Sequence, residues 1–283
     1  MKYTIKKASR AEVQIMSDWA AQEGWNPGLN DVESFYNADP DGFFIGYWGQ
    51  IPISCISAVS YGSEFSFIGF YIVKEGFRGK GHGIEIWNRA IEHLGSNQNI
   101  GLDGVVAQQE NYKKSGFELA YRNVRFEYIN PIGSKEKVNE KVTPIYDKDV
   151  EKILAYDLTI FGHKRESFLK SWLTQPNAMA LQYVENQTVK GYGVIRKCGI
   201  GYKVGPLYCD NEQIADELFS YLRNFVKGGE KIYLDVPEVN AAGMELAYEY
   251  FMQKSFETAR MYTNLSVGYP VHKVFGVSTF ELG

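Results

Sequence analysis

Apolar and polar positions change period along this chain. Three runs, GFFIGYW (42–48), IPISCISAVS (51–60) and FSFIGFYIV (65–73), are rich in aromatic and β-branched residues and are separated by turn residues. Each predicts a strand. Gly49-Gln50 joins the first two, and a two-residue loop with glycine first fits a type II′ hairpin. YGSE separates the second from the third, so the three read as an antiparallel meander. Pro52 sits near the start of its strand, where a missing N–H is tolerated. The period then switches. Ile84, Trp87, Ala90, Ile91 and Leu94 recur at steps of three and four, one face of a helix that Gly95 stops. IGLDGVVA (100–107) reads as a short buried strand, parallel to its predecessor across that helix. A short helix around QENYKKSG and a strand over GFELAYRNVRFEYI (116–129) follow.

The order then repeats. Helical patterns cover KDVEKILAYDLTIFG and RESFLKSWL. Strand patterns at 178–185 and 188–196 flank Asn186-Gln187, and GIGYKVGPLY (199–208) supplies a third. Ile214, Leu218, Leu222 and Phe225 mark a helix. IYLDVP (232–237) aligns with IGLDGV (100–105), and after a helix around AAGMELAYEYFMQK, SFETARMYTN (255–264) echoes GFELAYRNVRF (116–126). The shared order indicates a tandem duplication. The polar, Lys/Glu-rich stretch between the copies reads as a linker, which divides the chain into 1–130, a linker at 131–142, and 143–283.

A length of 283 residues suits two such units. With 17 Phe, 20 Tyr and 5 Trp there is ample surface to bury, which argues against disorder. A net charge of −4 disfavours a general nucleic-acid binder. The N-terminal stretch has no apolar signal core, and no window approaches a membrane span, so a cytoplasmic protein without a membrane partner is expected. Cys55, Cys198 and Cys209 are an odd number without metal spacing and read as free thiols in a reducing compartment, with no metal site.

The chemistry concentrates in EGFRGKGHGIEIW (75–87). Gly76, Gly79, Gly81 and Gly83 alternate with Arg78, Lys80 and His82, between a strand and a helix. Glycines let the backbone approach a ligand closely, and a helix start offers free N–H groups and partial positive charge. Anion binding, and phosphate binding in particular, follows. The spacing fits neither GxxxxGK[ST] nor GxGxxG, which disfavours the two common phosphate loops. Arg78-x-x-Gly81-x-Gly83 does resemble the [RQ]-x-x-G-x-[GA] motif of the GNAT superfamily of N-acetyltransferases. Tyr71-Ile72-Val73 resembles the family's cofactor strand, and NYKKSGF (111–117) its Tyr-x-x-x-Gly-Phe stretch. EGWNPG (23–28), DPDGFF (39–44), GYGVIR and GYKVGPL are similar to a two-domain subfamily.

The resemblance implies a mixed α/β chain of two tandem GNAT-like domains, each a mostly antiparallel sheet flanked by helices. It implies acetyl-CoA as cofactor and an N-acetyltransferase acting by direct attack in a ternary complex. Backbone amides from Gly79 to Ile84 would cradle the pyrophosphate, with Arg78, Lys80 and His82 beside them. Main-chain groups of Tyr71 and Val73 would pair with the pantetheine arm, and Tyr112 would be the general acid. Asn111 is a candidate pantetheine ligand or, equally, a helix cap. Glu64, just before the cofactor strand, is a candidate base against the plainer reading of a turn carboxylate. His93, His163, His272 and Cys55 read as structural or exposed. The second copy has YCDNEQ where the first has its glycine loop, and Asp210 and Glu212 would repel phosphate, so a single cofactor site is expected. The second domain would then shape the acceptor pocket, with Trp25, Asp31, Asp157, Arg165 and Arg196 as candidates for an amine or amino-acid-like acceptor. A core, capping or salt-bridge role competes at each. The assembly is expected to be a monomer or homodimer. The alternative is a non-catalytic acyl-CoA-binding regulatory or interaction module, and a weaker one is an ATP-binding loop.

Overall fold

The computed structural model describes residues 1–95, 98–132, 139–265 and 268–283. The first half runs β1 (Tyr3–Lys7), α1 (Arg10–Gln22), α2 (Asp31–Ala38), β2 (Phe43–Trp48), β3 (Ile51–Ser60), β4 (Phe65–Val73), α3 (His82–Leu94), β5 (Asn99–Val105), α4 (Gln109–Lys114) and β6 (Glu118–Ile129). The second runs β7 (Val142–Pro144), α5 (Val150–Phe161), α6 (Glu166–Leu173), β8 (Ala178–Glu185), β9 (Thr188–Lys197), β10 (Tyr202–Cys209), α7 (Glu212–Leu222), β11 (Lys231–Pro237), α8 (Ala241–Glu249), β12 (Gln253–Tyr262) and β13 (Val274–Gly276). Of the linker 131–142, residues 133–138 lie outside the described residues.

Local turn chemistry explains the hairpins. Trp48 pairs with Ile51 across Gly49-Gln50, where Gly49 takes a φ of 63°. Asn186 and Gln187 both have positive φ, 49° and 62°, the geometry of a type I′ turn. The parallel pairs are those the βαβ reading requires: β4 with β5 across α3, and β10 with β11 across α7.

The strands of the described residues form one sheet in the order β1-β2-β3-β4-β5-β12-β6-β11-β10-β9-β8-β7, with β13 against β10. The last long strands of the two halves are exchanged. β12 lies between β5 and β6, and β6 pairs with β11 from Asn123 to Ile129. Alternation along the strands builds a core on each face. Phe43, Ile45, Cys55 and Val59 face a cluster under α1, α2, α5 and α6, in which Phe35 stacks on Trp172 at 6.0 Å across the two halves. Phe44, Ile56 and Ala58 face α3 through Ile86, Trp87 and Ala90. Leu207 and Cys209 face α7 through Ile214, Leu218 and Leu222.

Each parallel pair opens like a V. β4 and β5 pair only from Phe65↔Asn99 to Ile68↔Leu102. Beyond that a register shift opposite β3 and a φ of 48° at Phe70 turn β4 away. β10 and β11 pair only from Tyr202 to Val204, again next to a register shift. The second V is filled: β13 pairs with Leu207 and Tyr208, and the Val277 N–H donates to the Asp235 carbonyl at 2.9 Å.

Candidate functional site

The first V is a cleft of about 410 Å³. Its walls are Gly69–Val73 of β4 and Leu102–Val105 of β5. Arg78, Gly79 and Gly83 close one end; Trp25, Phe256, Thr258, Phe280 and Glu281 also line it. Phe256 and Thr258 come from the exchanged strand β12, and Phe280 and Glu281 from the C-terminal tail.

The glycine loop meets the cleft at the start of α3. Gly79 and Gly81 have φ of 73° and 89°, which L side chains rarely adopt, and Gly81 is the N-cap. A Cβ at Gly76, Gly79 or Gly81 would meet nothing within 4 Å, so the loop's outer side is open. Gly83 differs, because a Cβ there would come within 2.7 Å of the Tyr71 hydroxyl. Its glycine lets α3 approach β4. The first turn of α3 thus borders an open backbone surface, a geometry suited to a pyrophosphate.

Side chains around this loop are more occupied than their charge suggests. Arg78 donates from Nε to the Val73 carbonyl at 2.7 Å and from Nη2 to Glu23 at 2.6 Å. The Val73 carbonyl therefore already has a donor. Lys80 folds back onto the Gly76 carbonyl at 2.7 Å. The His82 imidazole turns inward, 4.4 Å from the Tyr3 ring and 5.5 Å from Trp48, and its Nδ1 has no hydrogen-bond partner among the described residues. Only its backbone belongs to the helix start. Ile84 is exposed on the first turn.

Tyr112 lines the cleft from α4, with its ring 5.7 Å from Trp87. Gly104 lets it pack there, since a Cβ would lie 2.3 Å from Tyr112 Cε2. Burial raises its hydroxyl pKa above the ordinary tyrosine value, so the group stays a proton donor. Tyr71, also raised by burial, packs on the same tryptophan at 5.4 Å. Asn111 is exposed, outside the lining, and donates to Gln108 Oε1 at 2.7 Å. Glu64 is an exposed turn residue preceding β4, and it lines a second, more open cavity with His163 and Arg165. At roughly 3.3 Å per residue, seven positions of strand put it on the order of 20 Å from Tyr71.

Of the candidate acceptor residues, Trp25 lines the cleft. Asp31, Asp157, Arg165 and Arg196 do not, because each is consumed by a buried ion pair. Arg196 Nε lies 3.0 Å from Asp31 Oδ1 and its guanidinium stacks on Trp172 at 4.3 Å, tying the second half to α2. Arg165 holds Asp157 at 2.6 and 2.9 Å and donates to Ser278 Oγ at 2.9 Å. That last bond anchors the tail, as does the Tyr61 hydroxyl on the Leu282 carbonyl at 2.8 Å. Between them the Glu281 carbonyl sits against Gly69, where a Cβ would come within 2.0 Å. Arg165 thus bears on the cleft only through the tail.

The sequence reading missed Phe256, Thr258, Phe280 and Glu281. The echo between 116–126 and 255–264 located β12 but carried no sign that it crosses to the other half. In the second half Asp210 is engaged by Lys273 at 2.9 Å and by the Tyr156 hydroxyl at 3.1 Å. Among the described residues, no group of three His, Cys, Asp or Glu is disposed to hold a metal, and no helix is long and apolar enough to cross a membrane.

Two family models match the chain. The acetyltransferase (GNAT) family covers residues 11–117, and an acetyltransferase (GNAT) domain covers 153–276. The chain is 32% identical to holothin acyltransferase of Pseudoalteromonas sp. (strain SANK 73390), over 99% of this chain and 95% of that protein. The crystal structure of a putative acetyltransferase from Pyrococcus horikoshii superposes with a TM-score of 0.82 at 22% identity, covering 99% of this chain and 96% of that one. A tandem GNAT protein from the clavulanic acid biosynthesis pathway superposes with a TM-score of 0.65 at 10% identity, covering 94% and 100%.

Proposed function

Because the chain belongs to the GNAT acetyltransferase family and is an acyltransferase of that type, we propose that it transfers an acetyl group from acetyl-CoA to an amine by direct attack in a ternary complex. The observation that carries this reading is the V between β4 and β5. It joins the open, glycine-lined start of α3 at one end to Trp25, Phe256 and Phe280 further along. The residues fit coenzyme A. Backbone N–H groups from Gly79 to Ile84 would take the pyrophosphate at the helix start. The backbone of Tyr71 on diverging β4 would take the pantetheine, as a strand edge takes a peptide. Bound there, acetyl-CoA supplies an activated acyl carbon.

The chain's own residues then do three things. β4, β5 and β12 hold the two substrates in one cleft, which lowers the entropic cost of attack. Tyr112 donates a proton to the leaving sulfur, a role its buried hydroxyl supports by staying protonated at neutral pH. Arg78 supports the turn by tying Val73 to Glu23. We assign the acceptor wall in part to the second half, through β12 and the tail. Titration with acetyl-CoA, against ATP and NAD as controls, tests the cofactor. Selective binding at micromolar concentration is expected, and a preference for ATP would remove the reading. Thiol release in the presence of amines then tests transfer.

A further inference from the structure

Three carboxylates line the cleft, and two of them are spent. Glu23 accepts from Arg78 at 2.6 Å. Asp103 accepts from Arg260 at 2.6 and 2.8 Å and from Asn123 at 2.7 Å. Glu281 is different. Its side chain is buried, with 3% of the residue exposed, and one oxygen, Oε2, accepts from the Thr279 hydroxyl. The other, Oε1, is shielded from solvent and has no hydrogen-bond partner among the described residues. Two cations are near enough to interact with it, Arg125 and Lys203. Both aim elsewhere: Arg125 at Asp235 and at the Trp25 carbonyl, Lys203 at that same carbonyl at 3.4 Å. A buried acceptor without a donor costs on the order of 1–3 kcal/mol, and more when charged. An acceptor so placed calls for an explanation, and a ligand that brings the donor is one.

The surroundings say what kind of donor. Glu281 shares the cleft with Trp25, Phe256 and Phe280. The Arg125 guanidinium lies 4.8 Å from the Phe280 ring and 5.7 Å from Phe256, which braces both rings. An apolar aromatic wall beside one unpaired carboxylate oxygen suits an N–H donor carried on a flat apolar body. We infer that Glu281 receives the acceptor's amino group and takes its proton, and that the acceptor is a primary amine on an aromatic or aryl-alkyl frame. The inference rests on the acyl-transfer reading above. In the step the amine nitrogen forms a C–N bond to the acyl carbon, and the C–S bond breaks with its electron pair going to sulfur. One N–H proton passes to Glu281 and sulfur takes the proton of Tyr112; when the products leave, water entering the emptied cleft carries the proton away from Glu281 and returns one to Tyr112. Glu281 thereby fills the role of base, for which Glu64 lies at the wrong end of β4.

The test uses the full chain as wild type, Glu281→Gln and Glu281→Asp, with 2-phenylethylamine, propylamine and glucosamine as probes. Acetyl-CoA affinity is measured first by titration. Thiol release then gives kcat and KM for each amine, and titration of 2-phenylethylamine onto the CoA-loaded protein gives binding. The expected result is turnover of 2-phenylethylamine at least tenfold better in kcat/KM than of the other two. Glu281→Gln should lose about 10²-fold or more in kcat, with melting temperature and acetyl-CoA affinity unchanged and partial rescue by Glu281→Asp. A Glu281→Gln rate within threefold of wild type overturns the role of Glu281. So does loss of acetyl-CoA binding in that variant, which would make the residue structural. Acetyl-CoA binding by wild type with neither binding nor preferred turnover of 2-phenylethylamine overturns the acceptor class. Absence of acetyl-CoA binding by wild type overturns the acyl-transfer reading itself.

Discussion

Arg165 carries a prediction that separates stability from function. Its guanidinium is buried between Asp157, Ser278 and the rings of Phe161 and Phe168, the nearer at 3.9 Å. Arg165→Leu keeps an apolar body but leaves the Asp157 carboxylate, among the described residues, with only the Tyr192 hydroxyl, at 2.5 Å, as a strong donor. Removing one member of a buried pair costs about 3–5 kcal/mol. For a chain of this length the unfolding entropy is about 0.6 kcal/mol/K, so the melting temperature should fall by about 5–8 °C. Asp157→Leu/Arg165→Leu should be more stable than Arg165→Leu alone, because no charge is then left buried. The tail also loses its Ser278 anchor, so KM for the acceptor should rise several-fold while acetyl-CoA affinity holds. Calorimetry gives the first two quantities, and steady-state thiol release with titration gives the third. A melting shift under 2 °C, or a double variant less stable than the single one, would refute the energetic argument. An unchanged acceptor KM would refute the mechanical link through the tail.

Tyr112→Phe should lower kcat about 10²-fold with acetyl-CoA affinity unchanged, read by thiol release and titration. Because burial raises the Tyr112 pKa, its stabilising contribution is complete below the unfolded value near pH 10 and is lost only as pH rises beyond that, so the acid form persists across neutral pH. Gly81→Val forces a β-branched residue to a φ of 89°; a cost of about 1–2 kcal/mol and at least a tenfold weaker acetyl-CoA Kd are expected from melting and titration. Burial acts to raise the Glu12 carboxyl, but hydrogen bonds from Tyr47, Lys6 and Ser9 outweigh it and hold the pKa at about 2. Its stabilising effect is therefore full above about pH 4.5 and is lost as pH falls towards 2. Urea midpoints at pH 7 and pH 2.5 should converge in Glu12→Gln relative to wild type. Lys203 is fully buried, its pKa lowered by burial and by Arg125, and among the described residues its side chain donates to the Trp25 carbonyl alone, at 3.4 Å. Lys203→Met should leave the melting temperature unchanged or raised.

The parts of the molecule that were legible in the sequence are those set by local chemistry. The hairpin at Gly49-Gln50, the amphipathic stripe of α3 and the glycine loop all depend on residues within a turn or two of one another. The strand exchange depends on nothing local. β6 and β12 carry nearly the same pattern, so each suits either half, and which neighbour it takes is decided by contacts more than a hundred residues away. The short strands β1, β7 and β13 escaped for a related reason, since three to five residues show too little of a period. The charged candidates show the other limit of such a reading. Asp31 and Arg196 are the residue types a polar ligand would need, and the same types, 165 positions apart, neutralise each other inside the fold. Only the geometry tells a binding charge from a structural one, and in Glu281 it does so by an oxygen left without a partner.

The exchange also explains why the V is open in the first half and filled in the second. Each half opens a V where its parallel strands part. The chain after β12 enters the second V as β13 and closes it with backbone hydrogen bonds to β10 and β11. It then continues past the Arg165 anchor into the first V, where Phe280 and Glu281 line the space that β4 and β5 leave. The ten residues 274–283 thus close the second V and line the first. The second copy reaches the first cleft through β12 and this tail. A cut before residue 277 should accordingly strip the acceptor wall while leaving the glycine loop intact. Acetyl-CoA affinity should survive such a cut and amine turnover should not, and equal loss of both would refute the division of labour.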